Sequence, residues 1–352
     1  MLTKTNTPQI ISVLAPAKIN LWLDILARRE DGYHDIVTLF QSISLQDMLT
    51  FKFLTTESNQ KATNTTQANP IISLGKLDSS IEPTLFPLDQ NNSIAKAFKI
   101  FLAHLDQPPT VTMEVKVQKD IPIAAGLAGG STDAAATLVA LNYYFNKPFS
   151  KDELVKLASQ IGSDVAFCLI GGLAVGRGRG EQLEKVDLNL DYHFILVKPR
   201  SISISTPWAY KMYDELIESS SSSDLSPSHS VSDALLALRF NSALDKQSKL
   251  FWNALEPIIF KEYPILAEIK NHLLELGCAG ASLAGSGPTI YGLVRSEEDG
   301  FRILEGIRDI SIADPDNMSD TKEEKALILD AWLTESIGCG IQILADRVSR
   351  VD

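Results

Sequence analysis

An α+β fold in two halves is what this sequence predicts, and three observations carry the prediction. Apolar and polar residues alternate in INLWLDIL (Ile19 to Leu26) and VTMEVKVQ (Val111 to Gln118), which reads as half-buried strands. Helical segments follow in each half, Ser131 to Phe145 and Lys151 to Ile161 in the first and Tyr263 to Leu276 in the second. Between them PRSISISTP, within Lys198 to Pro207, changes the composition and offers a hinge, so the 352 residues divide at 1–199 and 200–352.

Taken in chain order, each element has a local cause. In the first strand Lys18 and Asn20 alternate with Ile19 and Leu21, which sets both polar side chains on the face opposite the core, as at a solvated strand edge. DGYH (Asp31 to His34) follows as a turn. The stretch 55–70 has almost no apolar residues and reads as a surface insertion. After the strand at Val111, a glycine-rich loop leads straight into the helix at Ser131. Ser150, with Glu153 three residues later, makes a capping box for the helix from Lys151. Asp164 stands where a further helix starts in IGSDVAFCLIGG (Ile161 to Gly172), either as its N-cap or as a working carboxylate. The serine-rich stretch 218–233 reads as a second insertion and the acidic stretch 314–325 as a third. The helix ending at Gly277 precedes a second glycine loop, 284–288 in LAGSGPTIYGLV. Short apolar strands lie at Ile290 to Val294 and Ile341 to Leu344.

Bulk properties exclude several classes of function. A net charge of -12 argues against broad contact with nucleic acid or an anionic membrane, because both require a basic face. No apolar stretch is long enough to span a bilayer. Cys168, Cys278 and Cys339 are few and scattered, with no CxxC pair, so neither a disulfide framework nor a zinc site is indicated. These features predict a protein of the bacterial cytoplasm, or of the plastid stroma if a transit peptide has been removed, with no obligate protein partner.

The chemistry centres on IPIAAGLAGGST, Ile121 to Thr132. Glycines let backbone approach a ligand closely, and the first turn of the next helix presents unpaired N–H groups at the positive end of its dipole. That combination suits phosphate. Ser131 and Thr132 add hydroxyls that can cap the helix, touch phosphate or help to position Mg²⁺. Neither the P-loop pattern nor the three-glycine Rossmann spacing is satisfied. Tyr33 and His34 form an aromatic and imidazole pair that can stack on a planar ring and bond its edge, unless they are simply a hairpin tip.

In order and wording these motifs resemble the GHMP family of small-molecule kinases. The most diagnostic piece is PAKINLWLDILARREDGYHDIVTLFQSISLQD, Pro16 to Asp47, and the likeness covers nearly the whole chain outside the insertions. The resemblance implies a two-domain GHMP kinase fold with the active site in the cleft between domains. It also implies phosphoryl transfer from ATP, with Mg²⁺, to a tertiary hydroxyl on the methylerythritol part of a small-molecule cytidine diphosphate derivative. Mevalonate- or homoserine-type acceptors are the alternative.

By the same resemblance Asp164 is the general base and Lys18 its electrostatic partner. The loop residues Pro122, Ile123, Ala124, Ala125, Gly126, Leu127, Ala128, Gly129, Gly130, Ser131 and Thr132 wrap the ATP phosphates. Asn92, or its neighbour Asn91, and Lys119 lie near the adenine. Tyr33 and Tyr210 (of TPWAY) sandwich the cytosine, His34 reads its edge, and Asn20 and Thr206 are further acceptor contacts. Metal ligands are unassigned, with Ser131 the one candidate. The loop reads AAGLAGGST where relatives often have GGGLGGGSS, so the methyls of Ala124, Ala125 and Ala128 are expected to point away from the phosphates.

Overall fold

The computed structural model describes residues 8–55, 70–77, 86–106, 111–188, 190–219, 227, 230–240, 251–308, 328–344 and 349–350. Two long antiparallel strands, β1 (Gln9–Arg28) and β2 (His34–Thr55), pair along nearly their whole length, joined by the DGYH turn. β3 (Ile71–Leu77) runs parallel to β4 (Val111–Lys119), with α1 (Ser93–Ala103) between them in sequence. Then come α2 (Gly129–Tyr144), α3 (Lys151–Ile161), α4 (Ser163–Ile170) and a hairpin of β5 (Leu173–Arg177) and β6 (Gln182–Lys185). β7 (His193–Pro199), α5 (Thr206–Ser219), α6 (Val231–Phe240), β8 (Trp252–Asn253), α7 (Glu256–Glu262) and α8 (Pro264–Glu275) follow. The chain ends with β9 (Gly280–Leu283), β10 (Ile290–Val294), α9 (Glu297–Arg308), β11 (Leu329–Glu335), β12 (Gln342–Ile343) and β13 (Ser349–Arg350).

The larger sheet has the order β12-β1-β2-β4-β3. β8 and β13 are also paired to β1, and β5 is on β2, carrying β6; the smaller sheet has the order β11-β7-β10-β9. Strand pairing crosses the division expected at 199/200. β7 lies on the N-terminal side of that line yet pairs with β10 and β11, while β8, β12 and β13 return from the C-terminal side to β1. The composition change at PRSISISTP marks a loop correctly, but sheet membership depends on non-local pairing that composition does not record.

Local readings fared unevenly. The helix from Lys151 and the strand at Ile290 have the expected bounds, and the Ser150–Glu153 capping box is formed. The stretch read as Ile19 to Leu26 is the middle of a much longer strand, and the strand expected at Ile341 to Leu344 is only Gln342–Ile343. Apart from Thr55 and Pro70, the stretch 55–70 lies outside the described residues, as does all of 314–325. The ends of 218–233 belong to helices, since α5 runs to Ser219 and α6 starts at Val231.

One apolar core packs α1, α2 and α3 against the large sheet through Phe51, Phe53, Phe98, Phe101 and Leu138. α2 is buried on nearly every side, which explains why it is a run of small and apolar residues with no polar face. A second core covers the small sheet with α8 and α9 through Leu266, Ile269, Leu273 and Ile303. A third joins the two, with Ile19, Leu21 and Leu39 of the large sheet against Phe194, Leu196 and Tyr291 of the small one. Among the described residues no helix is long and apolar enough to cross a membrane.

Candidate active site

Where the two sheets meet, a cleft of about 1040 Å³ opens between the glycine loop, the DGYH turn and α5. Lys18 lies at its floor. The register of β1 on β2 shifts between Pro16 and Lys18 and again between Asn20 and Trp22. Between these shifts the register is regular, so Lys18 and Asn20 share one face, and both are buried, at 4% and 3% exposure, rather than lying on a solvated strand edge. An ammonium has three N–H bonds, and here it meets three acceptors: Asn20 Oδ1 at 2.7 Å, the Gly126 carbonyl at 3.1 Å and Asp164 Oδ2 at 3.4 Å. Asn20 in turn donates to Thr38 Oγ1 at 2.8 Å, and Thr38 donates to the Trp22 carbonyl at 2.7 Å. Asn20 thus orients Lys18 while lining the cleft itself.

Asp164 occupies the first turn of α4, whose N-cap is Gly162, so it is not the cap itself. Its carboxylate is a third exposed and lines the cleft. The residue that pairs with Lys18 is therefore also the one open to an incoming hydroxyl.

The glycine loop approaches the second glycine loop closely enough to explain its composition. At Gly126 (φ +77) a Cβ would sit 2.0 Å from the Ala284 carbonyl oxygen, and at Gly285 (φ +57) it would sit 3.2 Å from Lys18 Nζ. Only glycine fits at position 126, and a side chain at 285 would crowd the Lys18 ammonium. α2 starts from Ala128 in the left-handed region with no side-chain cap, so its first-turn N–H groups face the loop. Ala125 is buried and Ala128 packs on the core, although both also line the cleft, and Ala124 (φ +51) is exposed there. Thr132 is fully buried, beside Cys168, so its hydroxyl does not reach the cleft as Ser131 does.

Lys119 lines the same wall, but its ammonium is sealed beneath the loop between Asp47 and Asp133, the latter at 3.3 Å. Asp47 Oδ1 also accepts the backbone N–H of Asp120 at 2.8 Å and of Ile121 at 2.9 Å, tying down the start of the loop. Burial pushes the Asp47 carboxyl up to about 8 against the pull of Lys119, and burial raises Asp133 as well. Asn92 caps α1 by accepting from Ile94 N, with its amide on the Pro87 carbonyl, and Asn91 bonds Asp89. Both asparagines line the cleft with their amides already engaged.

The opposite wall holds the aromatic group. Tyr33, 55% exposed, lies under the Arg179 guanidinium, 4.8 Å from ring centroid to guanidinium carbon. Tyr210 packs instead on His34, with ring centroids 4.9 Å apart at 33°. Tyr33 and Tyr210, expected on either side of the cytosine, both line the cleft. His34 Nε2 lies 2.7 Å from Asp214 Oδ1, which leaves Nδ1 as the ring atom able to meet a ligand. Burial, with Asp164 nearby, holds the Tyr210 hydroxyl well above the usual phenol range. Thr206 Oγ1 is 2.8 Å from Ser286 Oγ, linking α5 to the second glycine loop.

Two family descriptions match this chain, "GHMP kinases N terminal domain" over residues 92–172 and "GHMP kinases C terminal" over residues 233–310. The 4-diphosphocytidyl-2-C-methyl-D-erythritol kinase of Pelotomaculum thermopropionicum is 38% identical over 295 residues, which are 84% of this chain and 92% of that protein. The chain belongs to the GHMP kinases. The kinase of the same name from Thermosynechococcus vestitus is 34% identical over 338 residues, 94% of this chain and 98% of that one. A crystal structure of 4-(cytidine 5'-diphospho)-2C-methyl-D-erythritol kinase has a TM-score of 0.66 at 28% identity, covering 94% of this chain and 100% of that one.

This GHMP kinase, an ATP-dependent enzyme by its family, also has buried polar residues outside the site residues expected above: Thr38 and Asp47, which lie within the stretch Pro16 to Asp47, and Asn253. Asn253 donates to the carbonyls of Leu283 and Gly285, both at 2.8 Å, and so fixes the second glycine loop to β1 through β8. Asp133 and Asp214 did leave a trace. Asp133 is an acid in an otherwise small and apolar helix start, and Asp214 follows Tyr210 by one helical turn, on the same face.

Proposed function

We propose that this GHMP kinase transfers the γ-phosphoryl group of ATP to the 2-hydroxyl of 4-diphosphocytidyl-2-C-methyl-D-erythritol, in isoprenoid precursor synthesis. The observation that carries the reading is the joint placement of the Lys18 and Asp164 pair and the Tyr33, His34 and Tyr210 group in one cleft. The names of its relatives supply the acceptor, and a ring-binding wall opposite a phosphate-binding wall suits a substrate with a nucleobase at one end.

Asp164 takes the proton from the acceptor hydroxyl as the oxygen attacks the γ-phosphorus. Lys18, held by Asn20 and Gly126, offsets the negative charge gathering between base, nucleophile and phosphate. The uncapped start of α2 and the amides of loop 122–130 bind the triphosphate, and the cleft positions the two reactants in line. Among the described residues no cluster of three or more His, Cys, Asp or Glu side chains could hold a metal ion. Mg²⁺ keeps waters and is bound mainly through substrate phosphates with one or two protein oxygens. Ser131 is the cleft residue that would hold it, and when bound it would neutralise triphosphate charge.

Release of ADP by the purified protein with ATP and Mg²⁺ tests the proposal. Turnover is expected with the cytidylyl substrate and not with mevalonate or homoserine; comparable turnover of either control would overturn the assignment of the acceptor.

A further inference from the structure

The hairpin of β5 and β6 ends in RGRG, Arg177 to Gly180, a motif with no task so far. Its tip is docked on the acceptor turn: the Ile36 N–H donates to the Gly178 carbonyl at 2.7 Å. Gly178 (φ +66) and Gly180 (φ +104) bracket Arg179 in backbone states that turn the hairpin sharply. Arg179 is carried over the Tyr33 ring, and its own N–H donates to Glu181 Oε2 at 2.7 Å, which steadies the tip.

The acceptor side of the cleft is acidic, lined by Asp164, Asp214, Glu215 and Glu218, yet the proposed substrate must bring a diphosphate there. Three cations line that end. Arg28, 63% exposed, pairs with Asp214 at 3.5 Å, and Lys211, 72% exposed, pairs with Glu215 at 3.7 Å. Arg179 is only 28% exposed, and its ion pair with Glu181 is the longest of the three at 3.9 Å. It is the best shielded of them, although Asp31 as well as Glu181 lies within its field. A guanidinium also matches phosphate in a planar, two-point fashion that an ammonium does not.

Building on the proposed function, we infer that Arg179 binds the diphosphate of the acceptor. Its guanidinium backs one face of Tyr33 while the nucleobase takes the other, and its N–H groups donate to the phosphate oxygens next to that base. The hairpin thereby joins recognition of the base to recognition of the charge in one side chain.

Calorimetric binding of CDP and of cytidine, with the ATP site filled by a non-hydrolysable analogue, separates the two contributions in wild type, Arg179→Gln and Arg179→Lys. Arg179→Gln is expected to weaken CDP about 10-fold or more and cytidine less than about 3-fold, from the typical strength of charge-assisted hydrogen bonds. Arg179→Lys should fall between, and the CDP loss should shrink at high salt. Equal losses for CDP and cytidine, or no loss in either variant, would overturn the inference while leaving the proposed acceptor intact. Wild-type protein that fails to bind CDP would overturn both.

Discussion

The phosphate wall of the cleft is made of backbone and small residues over a sealed charge cluster, whereas the acceptor wall is made of large, partly exposed side chains on a turn and a helix. On the first, Gly126 fits where no Cβ can, and Asp47, Lys119 and Asp133 beneath the loop are at most 2% exposed. On the second, Tyr33 is 55% exposed and is held by contacts with other side chains. Backbone amides read charge and geometry but not the identity of a substrate, so the first wall suits any triphosphate. Aromatic faces and an imidazole distinguish one acceptor from another.

Breaking the phosphate wall from below should have the largest effect. Lys119→Met strands two buried carboxylates, and a loss of about 3–5 kcal/mol in urea unfolding is expected. At temperatures where the variant stays folded, ATP binding should suffer while CDP binding persists; equal damage to both would show that the walls are not independent. Next is the point where the walls meet. Asp164→Asn should lower kcat by at least about 10²-fold with little change in the KM for ATP. A near wild-type rate in folded protein would remove Asp164 from the role of base.

On the acceptor wall, Tyr33→Ala should raise the KM for the cytidylyl substrate about 10-fold, in line with the loss of one base–aromatic stack, and leave the KM for ATP unchanged. A parallel rise in both would contradict the division of labour. The smallest effect tests the tolerance of the loop. Ala128 sits at φ +61, so Ala128→Gly should stabilise the protein by about 1 kcal/mol in thermal unfolding, with kcat unaffected.

Much of the site was legible because it rests on local patterns. The loop before α2, Asp164 at a helix start and the Tyr-His turn each carry residue types whose chemistry is visible in a short window. Contacts that depend on a distant partner were not. Lys18 and Asn20 share a face by simple alternation, but the burial of that face follows only from the tertiary structure. Asp47, 72 residues from Lys119, engages its ammonium under the loop, and Tyr210 packs on His34.

Sequence alone determined the α+β class, the phosphate loop, the candidate base and the aromatic turn, because helix and strand periodicity, glycine placement and capping act over a few residues. Tertiary structure decided which sheet each strand joins, which cation faces Asp164 and which polar side chains are sealed from water. Those outcomes depend on contacts such as that from Lys18 to Gly126, 108 residues apart, and on the desolvation that close packing imposes.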